Sequence, residues 1–413
     1  MTGRHNGVGV RLKHQNVYLI HVHCAAHRLA LAAADASRGV KKVTEYKKTV
    51  NNIFNFFKYS ATRYQRLREL NKILESEDVL SLKEPCSVRW LSFGRAVKGI
   101  YDNWPALVME FDEEAAQRDN AIAGGLLKQI KQYSFLAITH LLMDVLPIMD
   151  RCNLVFQRED VNLATIEPMV QSTIASLQLL LEPDSLGEHE SKLTREIENN
   201  VYRGHSLTYV AANHIEGYAN VRRDFITYLI ERLRARFPSE CIDFLTCLDK
   251  VLNASKYPDR DVEIRDYGTE SLATLIAHFG ATNRVEDGVP MVAPVHGPDL
   301  RAEFTQMKLT LRAHGRPNFC ESCRILINEY GELFPMFRLL ACIALVIPVS
   351  SVPCERGFSC QNRVLTARRN RLGDDHADDL MLLTMEGPSV ADFRFDRARE
   401  IFASRANRNP IKF

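Results

Sequence analysis

Apolar residues recur at steps of three and four along most of the chain, and this spacing is typical of amphipathic α-helices. Val50, Ile53, Phe54 and Phe57 follow it within one segment. The same pattern predicts helices over residues 43–57, 61–75, 126–156, 166–181, 221–237 and 241–252. Residues 24–36, rich in Ala and Leu, predict a further helix, and residues 354–362 and 374–385 predict two more. The sequence therefore predicts a mainly α protein.

Four segments depart from this pattern. Residues 17–23 (VYLIHVH) are β-branched and aromatic, which predicts one strand with no partner strand nearby. Residues 281–299 concentrate Gly and Pro and predict an exposed linker. Residues 339–347 (LLACIALVI) are apolar on all sides, so they predict either a buried helix or a buried strand, in a core or in an interface. The last twenty residues mix Arg with aromatic residues and are expected to end in a polar tail.

Composition places the chain among ordinary globular proteins. Of its 413 residues, 46% are hydrophobic and 25% are charged, which excludes disordered and collagen-like classes. No run approaches the roughly 18–20 apolar residues of a membrane span, and the polar N-terminus does not resemble a signal peptide. We therefore expect an intracellular protein without a membrane partner. The net charge of +2 means that any nucleic-acid surface must be a local patch.

The sequence lacks the common motifs of nucleotide-binding and hydrolytic enzymes. It has no Gly-rich phosphate loop, no Gly-x-Ser-x-Gly elbow and no His-Glu-x-x-His. We expect no small-molecule substrate. The ten cysteines are scattered rather than spaced as a disulfide framework.

Two Cys-containing pairs are candidates for a zinc site. Cys24-x-x-His27 supplies half of a tetrahedral ligand set, and Cys320-x-x-Cys323 supplies a second half far along the chain. The alternative is that Cys24 and His27 pack locally at the start of a helix. The sequence does not show that the two halves meet.

Two further segments could contact nucleic acid. Arg89-Trp90, within the run SVRW, could stack on a base or hold a phosphate, or Trp90 could anchor the core. Residues 350–362 (SSVPCERGFSCQN) precede several arginines, and no acidic residue lies between Arg356 and Gly373. This stretch is either a phosphate-binding patch or a solvated face. Glu355 could ligate a metal or pair with a neighbouring arginine.

In order along the chain, CAAHRLAL, SVRW, a long helical stretch and SSVPCERGFSCQNRVLTARRNRL resemble the hAT superfamily of transposases. The last block resembles the C-terminal dimerisation region of that family. The positions that recur in the family are Ser350, Ser351, Glu355, Arg356, Phe358, Ser359, Arg371 and Leu372. The expected dimerisation and DNA patch consists of Ser351, Arg356, Phe358, Ser359, Arg368, Arg369, Arg371 and Leu372.

The resemblance implies an RNase H-like domain interrupted by a large all-α insertion, a nuclear location, homodimerisation and possible DNA association. It implies DNA cleavage by three carboxylates that bind two divalent metals such as Mg²⁺. The third carboxylate would be Glu355, and Cys24, His27, Arg89 and Trp90 match family motifs. The expected domains are an RNase H-like remnant (1–95), the insertion (96–320), the C-terminal return with the dimerisation region (321–390) and a tail (391–413).

The family's first two catalytic Asp residues precede the predicted strand, whereas the first Asp of this sequence is Asp35, which follows it. We therefore expect an N-terminally truncated, transposase-derived protein that is inactive as written and needs no cofactor. Two alternatives stay open. The sequence could be a truncated gene model of an active transposase, with Glu355 catalytic and Mg²⁺ bound, or a helical interaction scaffold without a DNA role.

Overall fold

A computed structural model describes residues 7–20, 22–73, 90–158, 161, 163–182, 185–208, 212–237, 239–280, 285–286, 289–347, 349–366, 369 and 371–404. The chain divides into two units, which we call the N-terminal body, Met1–Ser350, and the C-terminal unit, Ser351–Phe413. Each is described by itself.

The N-terminal body is built from helices, so the mainly α prediction is confirmed. None of the described helices is long and apolar enough to cross a membrane. A short 3-10 helix, Ala254–Lys256, lies among them. The α-helices are α1 (Val8–Gln15), α2 (Ala25–Gly39), α3 (Lys41–Lys58), α4 (Ala61–Ile73), α5 (Trp90–Gln117), α6 (Ala121–Ile130), α7 (Tyr133–Phe156), α8 (Leu163–Leu179), α9 (Glu188–Glu196), α10 (Ala212–Arg236), α11 (Ser239–Leu252), α12 (Asp261–Asp266), α13 (Thr269–Phe279), α14 (Gly297–Ala313), α15 (Phe319–Asn328) and α16 (Pro335–Val346).

The described strands form two small antiparallel hairpins. β1 (Val201–Tyr202) pairs with β2 (His205–Ser206), and β3 (Val285–Glu286) pairs with β4 (Val289–Pro290). Both residues between β1 and β2 have positive φ, 44° at Arg203 and 79° at Gly204, as a two-residue type I′ turn requires. The β3–β4 hairpin lies inside residues 281–299, so a simple linker does not describe that segment.

The strand predicted at residues 17–23 is wrong for the residues that the structure describes. Val17 and Tyr18 form a turn, and Leu19, Ile20 and 22–24 have no regular structure. Side-chain groups pair with both backbone polar atoms of Tyr18 in place of a sheet. The Tyr18 N–H donates to Asn16 Oδ1 at 3.0 Å, and the Tyr18 carbonyl lies 3.2 Å from His278 Nε2. The buried Tyr18 ring shows that the apolar run reflects packing rather than strand pairing.

The centre of the body is α7, which packs against α5, α8, α9 and α10. Residues 126–156, predicted as one helix, form parts of two, α6 and α7. The break at residues 131–132 is stabilised by tertiary hydrogen bonds to the end of α6. Buried Trp104 donates from Nε1 to the Ile130 carbonyl at 3.0 Å, and the Thr208 N–H donates to the Lys131 carbonyl at 3.0 Å.

A buried ion network joins α4 to α5. The Glu110 carboxylate is fully buried and receives two N–H groups of Arg66, with the shortest distance 2.7 Å. Glu114, also buried, contacts Arg63, Arg66 and Arg118. Burial acts to raise the pKa of Glu114, but the hydrogen bonds and positive charges around it hold that pKa below its usual value. This network fixes the position of α4.

The apolar segment at residues 339–347 belongs to the helix α16 and its following residue. Leu340, Ala341 and Ala344 are buried, whereas Leu339, Leu345 and Val346 are exposed, the last at 76%. The expectation of a segment buried on all sides is therefore wrong. One face of α16 belongs to the core and the other presents apolar side chains at the surface.

The described residues of the C-terminal unit include three α-helices. They are α17 (Val352–Val364), α18 (Asp374–Met385) and α19 (Phe395–Ser404). The hydrophobic pattern predicts the first two, and the bounds of α18 agree with the prediction. It predicts no helix beyond residue 385, where the structure has α19.

Candidate functional site

The helix α17 contains most of the residues singled out at the C-terminal end of the sequence. Pro353 lies in its first turn, where a missing N–H costs nothing, and the acidic Glu355 suits the positive end of the helix dipole. The Glu355 N–H donates to the Ser351 carbonyl at 3.1 Å. Val352, Cys360 and Val364 are buried, and they are spaced by multiples of four residues along one face.

Phe358 is exposed on the opposite side of α17, and α18 exposes several apolar side chains. Phe358 is 67% exposed and Leu382 is 63% exposed. The two helices pack together, and an added Cβ at Gly357 would lie 3.9 Å from Met385 Cε. Large apolar residues that are more than a third exposed in this unit are Phe358, Leu365, Leu382, Leu383, Met385, Val390, Phe395, Ile401 and Phe402.

The core of the same unit is very small. Its buried apolar residues, among those described, are Val352, Cys360, Val364 and Ala377. A contiguous exposed apolar surface on a soluble domain generally marks an interaction site. Three helices with so few buried side chains lack the core that a unit of this size needs to be stable by itself. The geometry therefore indicates a surface that binds another protein surface.

Arginines lie beside this apolar surface. Arg356, Arg363, Arg369 and Arg371 are all exposed, and Glu355 is the acidic residue among residues 352–372. Ser359 and Leu372 lie in the same stretch, with Ser359 exposed and Leu372 partly buried. Arg368 lies outside the described residues. The described arginines of this run are thus exposed, on a chain whose overall net charge is nearly neutral.

The residues around Glu355 do not fit a two-metal centre. Two divalent cations need several ligand oxygens at fixed positions. Glu355 is exposed on the first turn of α17. Across the part of the chain that the structure describes, no three His, Cys, Asp or Glu side chains are grouped where they could hold a metal ion. We derive no metal-dependent step from this site.

The four candidate zinc ligands are distributed over two places. Cys24 is buried just before α2, and the ring of His27 lies 5.1 Å from that of His23. Cys320 and Cys323 lie on α15, where burial raises the pKa of the Cys323 thiol. The structure does not bring the two pairs into one cluster, and the packing of Cys24 at a helix start agrees with the local alternative.

The Arg-Trp motif lies at an edge of the described residues. Trp90 begins α5, and Arg89 lies outside the described residues. The second tryptophan, Trp104, is the buried one that anchors α6. Sequence reasoning did not single out α19, although its apolar residues follow the three- and four-residue spacing of a helix.

Comparison with known families gives a match that includes α17 and α18. Residues 308–385 match the model of the hAT family C-terminal dimerisation region. This segment runs from within α14 through α15, α16 and α17 to the end of α18. It contains both the exposed apolar face of α16 and the apolar surface of α17 and α18. Residues 308–385 are therefore similar to the C-terminal dimerisation region of the hAT family, as the resemblance of the sequence predicts.

Proposed function

We propose that this chain is a hAT transposase-derived protein whose C-terminal unit joins two copies through the apolar surface of α17 and α18. The observation that supports this proposal is that the C-terminal unit exposes more large apolar side chains than it buries. Large apolar side chains are exposed in a unit that buries only a small core, and α17 and α18 lie in the family-matched segment. Burying such side chains against a second copy removes apolar area from water, at roughly 25 cal/mol per Å².

The test is the association state of the full chain. Sedimentation equilibrium should give a dimer at about micromolar concentration. Phe358→Asp with Leu382→Asp should weaken association, because each change places a charge in the interface. Val262→Asp is the matched control, since Val262 is 81% exposed in the first turn of α12, outside the matched segment. A wild-type chain that stays monomeric at about 100 µM would refute the proposal.

We also propose that the exposed arginines bind the phosphate backbone of DNA. The supporting observation is the run from Arg356 to Arg371, which contains no acidic residue. A gel shift at increasing salt should show binding that weakens steeply, by roughly one power of salt concentration for each phosphate contact. Arg369→Glu with Arg371→Glu should reduce that slope. Absence of binding at low salt would favour the alternative of a helical scaffold without a DNA role.

We propose further that this chain does not cleave DNA. Glu355 is exposed, and the described residues supply no second and third carboxylate beside it. A nicking assay with Mg²⁺ or Mn²⁺ should show no product. Activity that disappears in Glu355→Gln would overturn this proposal. It would favour the alternative that a longer gene product supplies an RNase H-like sheet and two Asp residues, which mapping of the 5′ end of the transcript would test.

The family also motivates a proposed nuclear location. Microscopy of the fluorescently tagged full chain tests this proposal directly. Accumulation in the nucleus is the expected result, and uniform exclusion from it would contradict the proposal.

A further inference from the structure

The helix α19 lies beyond the family-matched segment and has a sharply divided surface. Each of its ten residues is exposed. With about 100° between successive residues, Phe395, Ala398, Ile401 and Phe402 fall within an arc of roughly 120°. The charged side chains of α19 fall on the rest of the circumference. This is the pattern of a helix that packs one face against a partner.

A helix of this length is not stable in water by its own backbone hydrogen bonds. Isolated helices shorter than about 12–15 residues are marginal because nucleation is costly. Most helical stability in proteins comes from packing of the apolar face. Phe395 is 60% exposed and Ile401 is 44% exposed, so this face gains most of its stabilisation from a surface that covers it.

The charges of α19 favour a protein partner over a lipid or nucleic-acid surface. Arg397 lies 3.4 Å from Glu400, and Arg399 lies 3.6 Å from Asp396. The two cations of the helix are thus matched by two neighbouring acids. Helices that lie on anionic membranes, and surfaces that hold phosphates, carry an excess of Lys and Arg instead.

We propose that α19 docks on a second copy of this chain, with each α19 covering the apolar surface of α17 and α18 in the other copy. This inference rests on the proposed self-association. It extends that interface past residue 385, where the family match ends. Both surfaces lie in the C-terminal unit and are apolar and exposed. Two-fold pairing lets each copy provide one helix and one surface, which closes the assembly as a dimer.

The first experiment compares the wild-type full chain with Phe395→Asp/Ile401→Gln. Asp is favourable in the first turn of a helix and Gln is a good helix former, so neither change lowers the intrinsic helix propensity of α19. We expect association at least about 30-fold weaker, which corresponds to about 2 kcal/mol. Val262→Asp should associate like the wild type. At concentrations where all three proteins are associated, circular dichroism at 222 nm should be equal for them.

The second experiment tests which chain α19 contacts. The α19 variant is mixed with Phe358→Asp/Leu382→Asp, which has an intact α19 and a defective surface. The mixed dimer contains one fully intact contact, whereas each variant alone contains two defective ones. We therefore expect the mixture to associate at least about tenfold more tightly than either variant alone. An α19 folded onto its own chain gives no such gain and would overturn the inference.

The outcomes separate this inference from the proposal on which it rests. A monomeric wild type refutes self-association itself. A dimeric wild type whose association is unchanged in Phe395→Asp/Ile401→Gln refutes only the role of α19. Flotation of the wild type, but not of this variant, with vesicles of phosphatidylcholine and phosphatidylserine would assign α19 to a membrane surface and overturn the inference.

Discussion

Below neutral pH, a strong effect of pH on the stability of the N-terminal body is expected at His140. This histidine is 1% exposed on α7. Its Nδ1 lies 2.7 Å from the Leu136 carbonyl, and its Nε2 lies 3.0 Å from the Tyr202 hydroxyl. The neutral ring fits this site, because Nδ1–H donates to the carbonyl while Nε2 accepts from the hydroxyl. Burial lowers the pKa of His140 to about 4, and the charge of Arg203 adds to this effect.

The sign and the magnitude of this pH effect follow from the linkage between protonation of His140 and folding. An unfolded chain protonates this histidine near its ordinary pKa of 6.5, and the folded protein does so only near about 4. Between these values the unfolded state binds more protons, so the free energy of unfolding falls as pH is lowered. The full loss is about 3 kcal/mol at 1.36 kcal/mol per pKa unit, and about 2 kcal/mol of it occurs between about pH 7.5 and about pH 5.

The assay is urea unfolding of the wild type and of His140→Gln at these two pH values. Tryptophan fluorescence is a suitable probe, since the ring of Trp104 lies 5.1 Å from that of Tyr202. Gln cannot titrate, so the pH dependence of its unfolding free energy should be smaller by about 2 kcal/mol. Tyr202→Phe leaves the buried Nε2 without its donor and should cost about 1–3 kcal/mol at about pH 7.5. Equal pH dependence in the wild type and His140→Gln would refute the reasoning.

The same unfolding assay tests three other sites. Arg66→Met leaves the buried Glu110 carboxylate without its paired cation and should cost about 3 kcal/mol, whereas Lys98→Ala at an exposed helical ion pair should cost less than about 1 kcal/mol. Equal costs would contradict the role of burial. Lys308→Met removes the ammonium that donates to three carbonyls at and just beyond the end of α12, which should cost about 2–4 kcal/mol. Trp104→Phe removes the hydrogen bond to the end of α6 and part of the packing, and it should lower the free energy of unfolding by about 2–3 kcal/mol. An unchanged free energy of unfolding would show that this bond does not stabilise the break between α6 and α7.

The sequence predicts most helices because their burial is local and periodic. On α3, Val50, Ile53 and Phe57 are buried, and Phe54, the fourth position that the spacing selects, is half-buried. It does not predict the break between α6 and α7, because the groups that satisfy the end of α6 come from Trp104 and Thr208, distant in sequence. A single-sequence pattern contains no information about such distant partners.

The predicted strand at residues 17–23 fails for a related reason. β-branched and aromatic residues favour a half-buried extended segment, and a sheet is one of several ways to bury it. Here Tyr18 reaches the Met291 carbonyl with its hydroxyl and the His278 ring with its own carbonyl. Both partners lie more than 250 residues away, so the composition of the segment indicates burial but not the kind of neighbour.

For the candidate site, the sequence identifies the motif but not the surroundings of its residues. The sequence places Glu355, Arg356 and Phe358 in a family block, and the match over residues 308–385 agrees with it. The environment of each residue requires the structure. Phe358 is exposed rather than buried in a core, and Glu355 is exposed with no group of three potential metal ligands among the described residues.

Folding and association of the C-terminal unit are expected to be coupled. The unit buries four apolar residues among those described, while nine large ones stay more than a third exposed. Fixing the backbone of each ordered residue costs about 1–2 kcal/mol, which so small a core does not offset. A second copy that covers the exposed side chains supplies the missing apolar burial, and its contribution grows with protein concentration by mass action. The same exposed residues therefore account both for the weakness of the isolated unit and for its capacity to join two chains.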